Sequence, residues 1–151
     1  MRFKLITYGS KEYSEMVELR YQILRKPLGL DFSKEYLAKE KSDNLCVCKE
    51  DNKTIGACIL TPIDNHIIQL RQMAVADDYQ GKGIGKMLID FAEQTAADNG
   101  FNKITLHARK TVVPFYEKLG YWIIGDEFIE VDIPHYEMEK NLIQKNTING
   151  K

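Results

Sequence analysis

A glycine-rich run in the middle of the chain reads Gln80-Gly81-Lys82-Gly83-Ile84-Gly85-Lys86. It follows an apolar, strand-like stretch that ends at Val75 and precedes an amphipathic helix predicted to begin near Gly83. Three glycines at alternate positions allow the backbone to bend sharply and to approach a ligand closely. A helix that begins at once presents unpaired N–H groups at its positive end, which suits phosphate. The run therefore predicts a β–loop–α unit that holds a pyrophosphate.

Two common phosphate-binding loops do not fit this spacing. A Walker A loop requires Ser or Thr directly after its Gly-Lys pair, whereas Lys86 is followed by Met87. A dinucleotide fingerprint has the spacing Gly-x-Gly-x-x-Gly and follows the first strand of a βαβ unit. Here the glycines alternate and lie deep within the chain. The structural alternative is a glycine-rich turn that binds nothing.

Two motifs together resemble the GNAT superfamily of acyl-CoA-dependent N-acetyltransferases. The first is Gln-x-x-Gly-x-Gly, formed by Gln80, Gly83 and Gly85 and preceded by Met73-Ala74-Val75. The second is the run Phe115-Tyr116-Glu117-Lys118-Leu119-Gly120-Tyr121. The resemblance covers the core from about the second strand to the last. It implies an enzyme that uses acetyl-CoA as co-substrate and no metal.

Composition and charge narrow the class of protein. A chain of 151 residues suits one domain with a proper core, and a formal net charge of −1 gives no overall attraction to nucleic acid or to an anionic membrane. No apolar run reaches the length of a membrane span, and the N-terminus resembles a strand more than a signal peptide. The three cysteines, Cys46, Cys48 and Cys58, lack zinc-type spacing. We expect them to be reduced core residues of a cytoplasmic protein.

Alternating apolar patterns predict an α/β fold, in which early antiparallel strands precede a β–α–β–α unit and a C-terminal hairpin. The resemblance to the GNAT superfamily implies a mixed, mostly antiparallel sheet of six to seven strands that is flanked by about four helices. We expect residues 1–141 to form a single domain and residues 142–151 a polar, frayed tail. The apolar face of the helix after the loop is predicted to carry Ile84, Met87, Leu88, Phe91 and Thr95. The predicted strands cover residues 2–7, 44–49, 54–61, 66–76, 103–108, 121–131 and 136–140, and the predicted helices cover 12–25, 34–39, 83–98 and 112–119.

The resemblance assigns the cofactor site to two segments. Main-chain groups of residues 73–75 are expected to pair with the pantetheine arm like an added strand, and one N–H there to polarise the thioester carbonyl. Backbone N–H groups of residues 81–85 are expected to hold the pyrophosphate, and Lys82 and Lys86 either add charge or are solvated. Many family members carry an asparagine shortly after the fifth strand, and residues 107–111 lack it. The predicted cofactor-binding residues are Met73, Ala74, Val75, Gln80, Gly81, Lys82, Gly83, Ile84, Gly85 and Lys86.

Tyr116 is the leading candidate for the chemical step. It matches the tyrosine of the family's Phe-Tyr motif, which lies near the CoA sulfur and is thought to protonate the leaving thiolate. A phenol is protonated at neutral pH and can donate that proton. The alternative is that Tyr116 is an aromatic core residue.

The group that accepts the amine proton is less well defined. His107 alternates with Leu106 along its strand and could project into a cleft, and Glu130 is predicted to share a strand face with Asp132. We take His107 and Glu130 as the catalytic candidates. An ordered water chain could replace them, and each could be a solvated charge at a strand edge. Further candidates on the last two strands are Glu127, Asp132 and His135.

Three residues are candidates for binding the acceptor: Arg25, Arg71 and His135. Residues 19–29 resemble the first-helix segment of a small bacterial-type GNAT subgroup, where this helix lines the acceptor pocket. Arg20 and Arg25 could therefore meet an acidic acceptor, or could form surface salt bridges instead. Arg71 is a candidate positioning group on the long strand.

The sequence thus predicts transfer of an acetyl group from acetyl-CoA to a primary amine of a small molecule or peptide, by direct attack, with Tyr116 as general acid. We expect neither nucleic acid nor a membrane as a partner, and a homodimer is compatible with the sequence. Two alternatives stay open: an acyl-CoA-binding sensor without catalysis, and a nucleotide-binding interaction domain. The acceptor amine is not identified, because acceptor pockets are built from variable loops.

Overall fold

The computed structural model describes residues 1–143 and contains two compact units. The first unit comprises Met1–Thr61 and Arg71–Ala92, and the second comprises Pro62–Leu70 and the chain from Glu93. Both units are therefore discontinuous in sequence. The expectation of a single domain over residues 1–141 stays a prediction.

Among residues 1–143, seven strands and four α-helices form the main secondary structure, together with short π- and 3₁₀-helical turns. The strands form one mixed sheet in the order β1-β2-β3-β4-β5-β7-β6, and the α/β class and strand number predicted from sequence are confirmed. β4 and β5 pair in parallel, whereas β1 with β2, β2 with β3, β5 with β7 and β6 with β7 pair antiparallel. In chain order the elements are β1 (Arg2–Ile6), α1 (Lys11–Arg20), α2 (Lys34–Ala38), β2 (Asn44–Glu50), β3 (Lys53–Pro62), β4 (Ile67–Val75), α3 (Ile84–Asp98), β5 (Lys103–Arg109), α4 (Val113–Lys118), β6 (Trp122–Glu130) and β7 (Ile133–Asn141).

The first helix ends earlier than its apolar pattern predicts. Regular α1 stops at Arg20, and the chain continues through a π-helical turn, Tyr21–Arg25, and a 3₁₀ turn, Lys26–Leu28. Gly29 follows with a left-handed φ of 70°, a conformation that glycine adopts without strain. The predicted α2 is confirmed, since the Ser33 hydroxyl accepts a hydrogen bond from the Tyr36 N–H at 3.0 Å as an N-cap.

Two tight turns connect neighbouring antiparallel strands. Asp51 and Asn52 have φ values of 49° and 66°, and they form the turn between the strands that the sequence predicts at residues 44–49 and 54–61. A second turn places Val131 and Asp132 at 46° and 62°, although the sequence pattern predicted that the strand continues through Val131. The expectation that Glu130 and Asp132 share one strand face is wrong, because Asp132 lies in the turn.

Two clusters of buried apolar residues lie in the first unit. One cluster holds Tyr13, Met16, Leu45, Val47, Ala57 and Ile59. The other, formed by Cys48, Ile55 and Ile84, packs the first residue of α3 beside Val75 and so positions the glycine-rich loop. Met87 is 39% exposed, so its placement on the buried face of α3 was wrong, while Leu88 is fully buried. All three cysteines are free and buried.

The C-terminal end of the described chain is tied to the second unit. Asn141 belongs to β7 and pairs with Lys103, and the Leu142 N–H donates to the Asn102 carbonyl at 2.9 Å. Most of the tail predicted for residues 142–151 lies outside the described residues. Within residues 1–143, no helix combines the length and apolar character needed to cross a bilayer.

Candidate functional site

The glycine-rich loop of the first unit has the sharp backbone turns that its sequence predicts. It follows the short 3₁₀ helix Asp77–Tyr79. Gly81 and Gly83 have φ values of 77° and 82°, in the left-handed region where a side chain is strained. A Cβ added to Gly83 would meet no atom within 4 Å, so the backbone there is open to a ligand.

The N-terminus of α3 presents unpaired donors beside these glycines. The first helical hydrogen bond runs from the Met87 N–H to the Gly83 carbonyl at 3.1 Å. The N–H groups of Ile84, Gly85 and Lys86 therefore have no acceptor within the helix. Together with the helix dipole they form an arrangement suited to an anionic oxygen.

Three polar side chains around the loop have contacts within the first unit. The Gln80 amide donates to the Val75 carbonyl at 2.9 Å and lies 3.4 Å from Asp77, so Gln80 holds the loop against the end of β4. The Lys82 ammonium lies 5.4 Å from the centroid of the Tyr79 ring. Lys86 pairs with Asp90 at 3.1 Å, both more than half exposed, which partly offsets its charge. The Gln80 side chain, one of the predicted cofactor-binding groups, therefore uses its amide N–H to hold the loop in place.

The C-terminal half of β4 carries the other predicted cofactor segment. Gln72 has a φ of 57° and interrupts the extended backbone directly before Met73. A non-glycine residue in this region marks local strain. Ala74 is 2% exposed, while Met73 and Val75 are half-buried.

In the second unit, the fold brings together His107, Glu130 and His135, which the sequence named separately. The His107 Nδ1 lies 3.0 Å from Glu130 Oε1, and His135 Nε2 lies 3.9 Å from Glu130 Oε2. The Phe128 ring packs against both imidazoles, edge-on to His107 and stacked on His135. The pairing of Phe128 with His135 across β6 and β7 sets this arrangement.

The contacts of His107 define which ring nitrogen can act as a base. A carboxylate only accepts hydrogen bonds, so Nδ1 of a neutral His107 carries the proton that Glu130 accepts. The Nε2 atom is then left with a lone pair. His135 is constrained differently, because its Nδ1 lies 2.7 Å from the Ile133 carbonyl and its side chain is only 6% exposed.

Glu127 is a poor proton acceptor in this arrangement. Its carboxylate lies 3.0 Å from the Lys110 ammonium and accepts a hydrogen bond from the Tyr136 hydroxyl at 3.3 Å. The hydrogen bond from Lys110 lowers the pKa of Glu127. A carboxylate with a lowered pKa is a weaker base, which leaves His107 as the stronger candidate.

Tyr116 is a buried residue of α4 in the second unit. Tyr116 is 8% exposed, and its ring packs edge-on against Phe115 and Tyr121 at centroid distances of 5.1 and 5.6 Å. The Tyr116 carbonyl accepts from the Leu119 and Tyr121 N–H groups, which closes the short helix. The ring is therefore held in a fixed position.

The predicted acceptor residues Arg25 and Arg71 meet at one aromatic residue of the first unit. Their guanidinium carbons each lie 5.8 Å from the Tyr36 ring centroid. Arg71 Nη2 also donates to the Tyr36 hydroxyl at 2.7 Å. Tyr36 was not singled out in the sequence, because nothing in its spacing signals contact with either arginine.

Arg20 has a different role from the one its position on the first helix indicated. It is fully buried and donates two hydrogen bonds to Glu40, at 2.9 and 2.7 Å. Tyr13 donates a third to the same carboxylate at 2.7 Å. Both expectations for Arg20, contact with an acidic acceptor and a surface salt bridge, were wrong, because its charge is used inside the unit.

No three histidine, cysteine or carboxylate side chains within residues 1–143 are grouped closely enough to hold a metal ion.

Comparison with known proteins gives consistent results. The family model for the acetyltransferase (GNAT) domain matches residues 15–142. A Bacillus subtilis protein described as uncharacterized N-acetyltransferase YjcF is 25% identical over 138 residues, which are 91% of this chain and 98% of that protein. The structure of an aminoglycoside 6′-N-acetyltransferase complexed with coenzyme A has a TM-score of 0.81 at 17% identity, with 96% of this chain and 99% of that chain covered. A GNAT family acetyltransferase from Elizabethkingia anophelis with acetyl-CoA bound has a TM-score of 0.73 at 21% identity, with 93% and 97% covered.

Proposed function

This chain belongs to the GNAT acetyltransferase family and is an N-acetyltransferase, and from that premise we propose that it transfers an acetyl group from acetyl-CoA to a primary amine of a small molecule or peptide. The observation that carries the proposal is the pair of left-handed glycines, Gly81 and Gly83, before a helix with unpaired N–H groups. The relatives with coenzyme A or acetyl-CoA bound support the choice of donor. The proposal includes a cytoplasmic location and no nucleic-acid or membrane partner.

The proposed cofactor contacts divide between two segments of the first unit. The N–H groups of residues 81–86 hold the pyrophosphate, and the main chain of Met73, Ala74 and Val75 pairs with the pantetheine arm. Gln80 stabilises the loop through the hydrogen bond from its amide to the Val75 carbonyl. A main-chain N–H of the β4 segment polarises the thioester carbonyl.

The proposed chemical step is direct attack of the neutral amine on the thioester carbon. The N–C bond forms, the C–S bond breaks, and the Tyr116 hydroxyl gives its proton to the departing thiolate. Before the attack, Nε2 of His107 takes one proton from the ammonium to give the neutral amine. The second proton that the nitrogen loses after the attack restores the Tyr116 hydroxyl. Glu130 is then a positioning residue, since its hydrogen bond to Nδ1 fixes the imidazole tautomer.

Binding of the donor can be tested by thermal unfolding. Acetyl-CoA and desulfo-CoA are expected to raise the Tm by mass action, whereas ATP and NAD are expected to have no effect. Gly83→Val should abolish the shift, because valine resists a φ of 82° and places methyl groups where the pyrophosphate is expected.

Gly100→Val is the matched control for this variant. Gly100 follows the other end of α3, has a φ of 91° and likewise has no atom within 4 Å of an added Cβ. It should lose similar stability yet keep the shift with CoA. A shift with ATP but none with CoA, or an undiminished CoA shift in folded Gly83→Val, contradicts the proposed donor site.

The proposed base can be tested through the pH dependence of turnover. His107→Gln is expected to lower kcat/KM at pH 7 by roughly 10- to 100-fold, and the loss should fade as the pH approaches the amine pKa near 10, where no base is needed. Glu130→Gln should give a smaller loss in the same direction. A loss that is constant across the pH range would make His107 a structural residue.

The loop alone would also serve an acyl-CoA sensor without catalysis, whereas membership of the N-acetyltransferase family favours the enzyme. The two are separated by a thiol-release assay with acetyl-CoA across amine classes. Binding of CoA without thiol release on any amine would favour the sensor.

A further inference from the structure

Three arginines converge on two aromatic rings in the first unit. Arg20 and Arg25 each place the guanidinium carbon 4.7 Å from the Phe32 ring centroid, and Arg25 and Arg71 each lie 5.8 Å from that of Tyr36. The two rings stack on each other, with centroids 5.8 Å apart and planes inclined by 27°. We refer to Arg20, Arg25, Phe32, Tyr36 and Arg71 as the arginine–aromatic cluster. Stacking fixes long cationic side chains that would otherwise move freely.

The charges of this cluster do not balance. Glu40 neutralises Arg20 through two hydrogen bonds. Arg71 Nη1 lies 4.0 Å from Asp43 Oδ2, which is too far for a hydrogen bond, and Asp43 Oδ2 is buried without a hydrogen-bond partner. Within the described residues, Arg25 contacts the two rings and has no carboxylate within 4 Å. Three guanidinium groups thus face two carboxylates, and one positive charge is left over.

A further donor lies beside these arginines. The Tyr36 hydroxyl accepts hydrogen bonds from Arg71 Nη2 at 2.7 Å and from Gln72 Nε2 at 2.8 Å. A phenol oxygen accepts two hydrogen bonds and donates one, so its proton is available to another acceptor. Exchange of the Gln72 amide N and O would let Tyr36 donate to Gln72, but would leave the amide N–H groups without an acceptor. In either arrangement an unused donor adjoins Arg71.

We propose that the arginine–aromatic cluster binds a carboxylate of the acceptor, so that the substrate is an amine that also carries a carboxylate, such as an amino acid. This inference rests on the proposed acetyltransferase function. Arg25, Arg71 and the donor at Tyr36 present only hydrogen-bond donors, and the planar guanidinium matches a carboxylate. One uncompensated positive charge suits a singly charged anion better than a phosphate monoester.

The position of the cluster along the chain agrees with this assignment. Arg71 and Gln72 directly precede Met73, where the segment proposed to pair with the pantetheine arm begins. An acceptor whose carboxylate is bound at Arg71 would place its amine beside the part of β4 that is proposed to hold the thioester. The surplus positive charge also disfavours polycationic amines of the aminoglycoside type.

The test compares acceptors with and without a carboxylate, with kcat/KM expressed per neutral amine. Thiol release with acetyl-CoA is measured for free amino acids and their carboxamides, for 4-aminobutyrate and 4-aminobutanamide, and for kanamycin. The acids are expected to have kcat/KM values roughly 10- to 100-fold above the matched amides, mainly through KM, as for hydrogen bonds to a charged group. Kanamycin is expected to be a poor acceptor.

Variants at Arg25 connect this preference to the cluster. Arg25→Gln should lower kcat/KM for the acids roughly tenfold more than for the amides, so that the acid-to-amide ratio falls, and Arg25→Lys should restore part of that ratio. Lys26→Gln is the matched control, because Lys26 is an exposed cation next in sequence with no ring contact among residues 1–143. It should leave the preference intact.

A binding measurement keeps this inference separate from the proposed function. N-acetyl amino acids and their amides are compared by ligand-observed NMR with the CoA-saturated protein, where only the acids are expected to bind and Arg25→Gln is expected to release them. Equal turnover or equal binding of acids and amides overturns the carboxylate assignment while leaving acetyl transfer intact. Absence of CoA binding and of thiol release overturns the proposed function instead.

Discussion

Replacement of Tyr116 by Phe is expected to lower turnover by roughly 10²- to 10⁴-fold, the range for a positioned general acid. Only the hydroxyl is removed, so the edge-on packing of the ring against Phe115 and Tyr121 should survive. CoA affinity should change far less, because main-chain groups supply the proposed contacts. The loss should shrink with acyl donors whose leaving thiol is more acidic, since these need less help from an acid.

Tyr121→Phe is the matched control for this measurement. Tyr121 is also buried, at 3% exposure, and its hydroxyl donates to Glu93 at 2.7 Å. Loss of that hydroxyl should reduce stability by about 1 kcal/mol without affecting turnover. Wild-type turnover by Tyr116→Phe, on an acceptor verified for the parent protein, would show that Tyr116 is a core aromatic. A uniform loss of CoA binding would make it a binding residue.

Glu40→Gln is expected to destabilise the fold by about 3–5 kcal/mol, the usual effect of removing one partner from a buried ion pair. The substitution leaves the fully buried Arg20 guanidinium without its countercharge. Tyr13 adds to the loss of stability, because its hydroxyl donates a hydrogen bond to the Glu40 carboxylate. Burial, and next the hydrogen bond to Glu40, raise the pKa of Tyr13, so its phenol stays protonated as a donor. Urea unfolding followed by circular dichroism measures the change.

Two further variants calibrate the measurement on Glu40. Asp90→Asn breaks an exposed pair with Lys86 at i,i+4 spacing and should change stability by less than about 0.5 kcal/mol. Tyr13→Phe removes one hydrogen bond to Glu40 and should fall between the two, at about 1–3 kcal/mol. A loss for Glu40→Gln no larger than that for Asp90→Asn would mean that water reaches the Arg20 guanidinium.

Features that depend on a few adjacent residues were predictable from sequence. The Asp51–Asn52 turn, the Ser33 cap and the left-handed loop glycines follow from local backbone chemistry. The Val131–Asp132 turn was missed because local backbone chemistry argues against it: valine is a strand-forming residue that strongly resists positive φ. Strand pairing imposes that turn from outside the local sequence.

The candidate site shows the same division between local and long-range information. His107, Glu130 and His135 could each be named from residue type, but their contact depends on the register of β6 and β7. The role predicted for Arg20 was wrong because its partner, Glu40, lies beyond α2, and no sequence pattern links the two residues. Phe32 and Tyr36 become visible only once the chain has folded around the arginines.

The burial of Arg20 against Glu40 also limits how this chain can evolve. Either residue changed alone leaves an uncompensated charge in the interior, whereas an apolar pair of similar volume can be tolerated or even favourable. A lineage that abandons the ion pair must therefore pass through a poorly folded ancestor or change both codons nearly together. The two positions should be inherited as one character, retained jointly or lost jointly among descendants.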